Sequence, residues 1–156
     1  MSLIKTTEES FEFPVLGFTS DGDFCGFPDM DILTIAAPAM IKRGMHEGML
    51  LIDNGNNQWV VRSVRTKGRA ARWTLLGILL YLPPSWRVEH ELEKLPPLSL
   101  DEIKDRTCAA VRVSWYDGYE ADGQEDEFEA LLDQVRSARD VAHIYQVLGI
   151  DEFAGL

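Results

Sequence analysis

Alternating and helically spaced hydrophobic residues divide the chain into a strand-rich part followed by a helix-rich part. In residues 87–95, RVEHELEKL, Val88, His90 and Leu92 fall on one side and the charged residues fall on the other. This period of two predicts a strand with one face in water. Apolar runs bounded by turn residues predict four further strands, at 13–18, 48–53, 58–64 and 73–82.

Glycine and proline mark the predicted ends of these strands. Asn54-Gly55 is a dipeptide that favours a tight hairpin, because both of its residues readily adopt positive φ. Gly68 permits a reversal of the chain beyond the strand at 58–64. Pro83-Pro84 end the run at 73–82, whose apolar residues predict a strand buried on both faces.

The clearest helix signal lies after residue 97. Ser99 and Glu102 have the spacing of a capping box, in which each side chain bonds the other residue's backbone N–H. Leu98 and Ile103 stand where a hydrophobic staple forms. These residues predict a helix over 100–115, with Cys108 on it.

Three more helices are predicted from apolar residues at helical spacing. Two lie within residues 125–138 and 140–149, and Gly149 ends the second. The third occupies residues 29–44, starts at an Asp cap, and is kinked or divided by Pro38.

Strands followed by helices predict an α+β fold rather than a doubly wound one. We expect a largely antiparallel sheet of about five strands, one helix inserted early, and a C-terminal group of three helices. The 156 residues suffice for one core, so residues 1–156 are predicted to form a single domain. A proline-rich joint at 95–97 separates its sheet-rich half, residues 1–95, from its helical half, residues 98–156.

Charge is unevenly distributed in this protein, whose formal net charge is -11. Residues 1–40 hold one base against seven acids, and residues 101–156 hold five bases against fourteen acids. Residues 41–72 hold seven bases against two acids. Because phosphate is repelled by most of such a surface, nucleic acid and anionic membranes are not expected partners.

The basic middle contains a cluster of five cations: Arg62, Arg65, Lys67, Arg69 and Arg72. Trp59 and Trp73 flank it, and cations with aromatics are typical of single-stranded nucleic-acid binding. The cluster can also be a solvated hairpin tip, or it can pair with the acidic helical half of the same or a neighbouring protomer. The acidic protein as a whole favours the last two interpretations.

Motifs for several chemistries are missing from the sequence. There is no GxGxxG, GxxxxGK[ST], GxSxG or HExxH. Cys25 and Cys108 are isolated and predicted to be reduced, and the three histidines are predicted to be structural or surface residues, with His90 a hydrogen-bonded histidine in the core or at the sheet edge. The acidic segments 19–31 and 116–127 lack calcium-loop spacing and are interpreted as solvated loops. No metal and no cofactor is predicted.

Aromatic residues within an acidic loop form the predicted partner-binding surface. Trp115, Tyr116 and Tyr119 are candidate anchors, since Trp and Tyr are favoured in interfaces. Surrounding carboxylates would steer a basic partner toward them: Glu120, Asp122, Glu125 and Asp126. The alternative is that these aromatics only close the core over the helix joint.

Several stretches together resemble the small acidic immunity proteins of bacterial polymorphic-toxin systems: VLGFTSDGD, IAAPAMIKRG, GMLLIDNGNNQWVVRSV, SLDEIKD and EFEALLDQVRSARDVAHIYQVLG. The resemblance covers much of the chain in layout and implies an α+β, cytoplasmic, non-enzymatic protein that caps a toxin domain. The basic cluster and the acidic loop after Trp115 depart from it, so it assigns no binding residue.

The leading hypothesis is a non-enzymatic domain that binds a basic protein. One alternative is a small-molecule site or enzyme using His90 or the arginines of 58–65. Another is a self-associating protein whose basic hairpin meets acidic helices of a second copy. The N-terminus lacks a basic region followed by an apolar one, so no secretory signal and a cytoplasmic location are expected.

Overall fold

The computed structural model describes residues 2–36, 38–42, 44, 46–69, 86–118 and 125–149. For residues 38, 39, 69, 115–118 and 125 it describes the backbone alone. The strand predicted at 73–82 and the Pro83-Pro84 stop lie outside the described residues.

Seven strands of the described chain form one sheet in which every pairing is antiparallel. They are β1 Ile4–Lys5, β2 Val15–Phe18, β3 Phe24–Phe27, β4 Ile35–Ala36, β5 Leu50–Ile52, β6 Gln58–Arg69 and β7 Trp86–Leu95. The strand order is β1-β7-β6-β5-β2-β3, and β4 also pairs with β7. β7 confirms its predicted alternation, with Val88, His90 and Leu92 buried.

Among the described residues, two helices precede β5 and three follow β7. They are α1 Met30–Leu33, α2 Pro38–Lys42, α3 Leu100–Gly118, α4 Glu125–Arg136 and α5 Val141–Val147. A 3-10 turn also spans Thr6–Glu8. The arrangement confirms the predicted α+β class, with helical structure early and three helices at the C-terminal end.

The capping box of α3 is formed as predicted. Ser99 N donates to Glu102 Oε2 at 2.8 Å, and Glu102 N donates to Ser99 Oγ at 3.2 Å. Leu98 packs against the cluster that contains Ile103, as the staple requires. The helix continues three residues past its predicted end, to Gly118.

The early helix is divided rather than kinked. Asp29 caps α1 by accepting from Ile32 N at 2.8 Å, and α1 ends after only four residues. β4 then pairs with β7 before α2 begins at Pro38. A proline is tolerated in the first turn of a helix, because its missing N–H would have no partner there, so α2 starts where the predicted helix would have been broken.

The β5–β6 connection differs from the tight hairpin predicted at Asn54-Gly55. It spans residues 53–57, and the positive φ, 64°, falls on Asn56. The buried Asp53 carboxylate organises this loop by accepting from the backbone N–H groups of Gly55 and Asn57, each at 3.0 Å. Hydrogen bonds to the side chain of Asp53 thus hold this loop in place of the backbone hydrogen bonds of a tight turn.

Gly68 does not reverse the chain. Its φ is 118°, but β6 continues to Arg69, and the pairing with β7 shifts register between Thr66 and Gly68. A glycine with positive φ at a register shift is typical of a β-bulge. Four residues of the basic cluster, from Arg62 to Arg69, therefore lie on a long strand, and the fifth, Arg72, lies outside the described residues.

The segment at 19–31 is not wholly a loop. Only residues 19–23 form the turn, and β3 follows as a second hairpin strand against β2. The two strands approach closely at Gly17, where a Cβ atom would lie 2.8 Å from Cys25 Sγ. The strand Phe24–Phe27 was not predicted, because turn-forming residues of this segment indicated a loop.

Hydrophobic clusters lie on both faces of the sheet. Consecutive residues of a strand point to opposite faces, and Leu51 and Ile52 accordingly belong to different clusters. One cluster joins Leu16, Phe18 and Ile52 of the sheet to α3 and α5. The other lies beneath the N-terminal segments and includes Trp59, Val61 and Leu92. The sheet-rich and helical halves thus share hydrophobic contacts.

Candidate functional site

Charged residues of β6 and β7 form three ion pairs across the two strands, and we call them the charge ladder: Arg62, Arg65 and Lys67 with Glu93, Glu91 and Glu89. Arg62 Nε donates to Glu93 Oε2 at 2.6 Å. The N–O distance is 3.4 Å between Arg65 and Glu91 and 3.0 Å between Lys67 and Glu89. Antiparallel pairing brings these opposite charges together.

Neighbouring hydroxyl groups add hydrogen bonds to the ladder. Ser63 Oγ donates to Glu91 Oε2 at 2.8 Å, and Thr7 Oγ1 donates to Glu89 Oε1 at 3.0 Å. The hydrogen bonds from Lys67 and Thr7 hold the pKa of Glu89 below its ordinary value. Glu89 is therefore held in its charged form by Lys67 and Thr7.

The basic cluster does pair with the protein's own carboxylates, but these lie on β7 and not in the helical half. Three of its five cations belong to the ladder. Arg69 ends β6 with its backbone alone described, and Arg72 lies outside the described residues. Trp59, a candidate for stacking on bases, is buried, and its indole N–H donates to Glu9 at 3.2 Å.

The predicted partner-binding residues lie around the junction of α3 and α4. Trp115 and Tyr116 belong to the last turns of α3, and Glu125 begins α4, with backbones alone described. Asp126 is exposed on α4. The remaining three, Tyr119, Glu120 and Asp122, lie outside the described residues.

The start of α4 carries three exposed acids, which we call the α4 acids: Asp126, Glu127 and Glu129. None of the three makes an ion pair with any residue of the described chain. The ion pair within α4 instead joins Arg136 to Asp133, at 3.2 Å. Acids in a first turn stabilise a helix through its dipole, which accounts for Asp126 and Glu127 but not for Glu129 in the second turn.

An exposed apolar residue lies near the end of α3. The side chain of Val113 is accessible, with 40% of the residue exposed. The neighbouring Ser114 donates to Asp23 Oδ1 at 2.8 Å, which ties this end of α3 to the β2–β3 turn. Asp21 and Asp23 of that turn are exposed as well. An apolar side chain with acids beside it precedes Trp115 and Tyr116, two of the three predicted aromatic anchors.

A buried pair of histidines lies on the other side of the sheet. His90 Nε2 is 3.2 Å from His46 Nδ1, and His90 Nδ1 is 3.0 Å from Thr6 Oγ1. Burial lowers the pKa of His90 to about 4, with a further contribution from His46, and burial lowers the pKa of His46. Both imidazoles are therefore neutral near pH 7.

The core position predicted for His90 is confirmed, whereas the role of His46 was not foreseen. The two residues are 44 positions apart, and His46 stands in a short irregular segment without periodicity. His46 lines a cavity of about 50 Å³, and it is 2% exposed. The carboxylates beside His90 in sequence, Glu89 and Glu91, point away from it into the charge ladder.

Within the described residues, no group of three or more His, Cys, Asp or Glu is placed to hold a metal ion. No helix of the described chain is long and apolar enough to cross a membrane. A scan against protein-family models found no match, and searches of curated proteins and of solved structures found none. The function is therefore argued from the geometry of this chain.

Proposed function

We propose that the protein is a non-enzymatic domain that binds a basic partner protein at the α3–α4 end of the molecule. The observation that carries the proposal is the contrast in charge compensation: three cations of β6 form ion pairs with β7, whereas the α4 acids have no described cationic partner. Uncompensated charge is the part of a charge distribution that acts at a distance. The negative field of the helical end would therefore attract cationic proteins.

Anchoring would come from the apolar residues beside these acids. Val113 is exposed, and Trp115 and Tyr116 follow it on the same helix. Large aromatic residues at the centre of an interface contribute most of the binding energy, while peripheral charges govern the rate of association. The predicted anchors and the α4 acids thus have complementary roles in the proposed interface.

Toxin neutralisation is the specific form of this function that the resemblance to immunity proteins suggests. The partner would then be a toxin domain with a basic surface, inhibited by being covered. This function needs no catalytic group, and it agrees with a site built from acids and exposed apolar residues.

The test is binding kinetics with a partner recovered by affinity capture from the native host. The triple variant Asp126→Asn, Glu127→Gln, Glu129→Gln should associate about tenfold more slowly than the wild type at low salt. A matched control removes three exposed carboxylates outside the α-helices by Glu8→Gln, Glu12→Gln and Glu47→Gln. Equal slowing in both triple variants, or a wild-type rate that does not fall with added salt, would contradict the proposal.

Self-association is the second hypothesis that the structure addresses. It needs free cations on the basic strand, and three of the five are engaged within the same chain. Light scattering over a salt series tests it directly. An oligomer that dissociates as charges are screened would favour self-association over capture of a different protein.

A further inference from the structure

A small cavity is lined by His46, whose buried Nε2 lacks a hydrogen-bond partner among the described residues. It holds about 50 Å³ and is lined by Met40, Ile41, Gly44, His46, Glu47 and Val64. His46 Nε2 is fully enclosed and makes no hydrogen bond to any described residue. A buried polar atom without a partner is costly, so a bound group that satisfies it is favoured.

The contacts of Thr6 decide which hydrogens the two histidines carry. Thr6 Oγ1 accepts from His90 N at 2.8 Å and lies 3.1 Å from the carbonyl oxygen of His90. Because a carbonyl has no hydrogen to give, the single hydroxyl hydrogen of Thr6 must lie in that contact. The remaining contact of Thr6 Oγ1, to His90 Nδ1 at 3.0 Å, then requires a hydrogen on Nδ1.

The position of the hydrogen on His90 in turn determines its position on His46. A neutral His90 with its hydrogen on Nδ1 has a lone pair on Nε2, so the 3.2 Å contact must be donated by His46 Nδ1. A neutral His46 with its hydrogen on Nδ1 in turn has a lone pair on Nε2. The contacts of Thr6 with His90 therefore make His46 Nε2 a hydrogen-bond acceptor.

The surroundings of this acceptor select the chemistry of its ligand. Met40, Ile41 and Val64 supply apolar walls, and Glu47 is the carboxylate on the lining. A zinc ion takes about four ligands, more than these residues offer. A cationic ligand would lose its hydration against apolar walls, which favours a neutral molecule.

A second cavity provides room for the body of such a molecule. It holds about 240 Å³ and is lined by Ile41, Lys42, Thr66 and Trp86. Ile41 lines both cavities, so the larger one lies within one side chain of the smaller. Apolar walls with a few fixed polar groups are characteristic of small-molecule sites.

We propose that this region binds a small, neutral, largely apolar molecule that donates one hydrogen bond from an O–H or N–H group to His46 Nε2. The apolar body of the molecule lies along Ile41. This site is separate from the α3–α4 surface, and its occupancy does not depend on the proposed protein partner.

The first measurement reads the tautomer in the unmodified protein. ¹⁵N NMR of the imidazoles at pH 7 should show both histidines with their hydrogen on Nδ1 and none on Nε2. A hydrogen on His46 Nε2 would overturn the proposal, because that atom would then be a donor.

The second measurement uses phenol and its methyl ether, anisole, as probes. Phenol should produce saturable shifts of the Ile41 and Val64 methyl groups, and anisole, which lacks the O–H, should bind at least tenfold more weakly. Equal binding of both probes, or no saturable shift, would overturn the proposal. The second result is expected of a cavity that holds only water.

Two matched variants locate the binding. Val64→Phe fills the cavity and should abolish the phenol shifts, whereas Leu3→Phe introduces the same side chain at an exposed position near the N-terminus and should leave them intact. Unchanged binding to Val64→Phe would place the probe elsewhere and refute the site. If Val64→Phe does not fold, the tautomer and the phenol–anisole comparison still decide the matter.

Discussion

The carboxylates of the charge ladder form ion pairs, whereas the carboxylates of the α4 acids form none with the described chain. Every ladder glutamate has a cation on the neighbouring strand, and Glu89 and Glu91 also have hydroxyl donors. Asp126, Glu127 and Glu129 are exposed, with no ion pair to the described chain. The ladder contributes to holding two strands in register, whereas the α4 acids contribute little to the fold beyond the helix dipole. The difference supports the proposal that the charge of the helical end is available to a partner.

The opposite face of β7 extends this comparison. There the ionisable residues are neutral: His90 is enclosed with His46 and Thr6 among apolar side chains. One strand thus carries paired charges on one side and buried neutral imidazoles on the other. A change of pH should accordingly alter the stability of the sheet region far more than that of the helical surface.

Acidification should produce the largest effect, through His90. Its folded pKa of about 4 lies below the ordinary 6.5, so the unfolded chain binds a proton as the pH falls through 6.5 while the folded chain does not. Stability is therefore complete above pH 6.5 and is lost toward pH 4. Between pH 7.5 and 5 the loss from His90 alone should be about 2 kcal/mol. Urea unfolding at a series of pH values measures it.

Two variants distinguish the loss of stability caused by His90 from the loss that other titrating groups cause on acidification. His90→Gln should flatten the dependence between pH 7.5 and 5, where few carboxylates titrate. Ile144→Val weakens the core at a fully buried position but retains both histidines, so it should keep the wild-type slope. His46 lies against His90, and its lowered pKa adds in the same direction. A wild-type protein with flat stability over this range would contradict the buried neutral pair.

Features of the fold that depend on local chemistry were predictable from the sequence. The alternation of β7 and the capping box at Ser99 and Glu102 use contacts within a few residues, and both are present. The strands β1 and β4 have two residues each and are defined by their partners on β7. Strands of that length have no periodicity of their own, so the sequence could not reveal them.

The candidate sites depend on contacts between distant residues and were less predictable. Summing charges by segment indicated that the basic cluster meets the protein's own acids, but the register of β6 on β7 decides that Arg62 meets Glu93, 31 residues away. No pattern pointed to His46, because its contact with His90 is created by the tertiary fold. The roles of Trp115 and Tyr116 in partner binding stay predictions.

The charge ladder should show a smaller energetic effect. A double-mutant cycle of Arg62→Gln and Glu93→Gln should give a coupling free energy of about 0.5–1 kcal/mol, because the arginine is half exposed and its solvent competes with the pair. The coupling should shrink in 1 M salt as the charges are screened. Zero coupling at low salt would mean that the ladder ion pairs contribute no more to stability than the α4 acids do.

The smallest effect on stability is expected at Glu129. With no ion pair to the described chain and a position beyond the first helical turn, Glu129→Gln should change the free energy of unfolding by less than about 0.5 kcal/mol. The same variant should still slow association with a basic partner, since steering depends on charge and not on folded-state contacts. Urea unfolding and stopped-flow association on one preparation compare the two effects. A loss of stability above about 1 kcal/mol would mean that Glu129 has an intramolecular partner and does not serve as free charge.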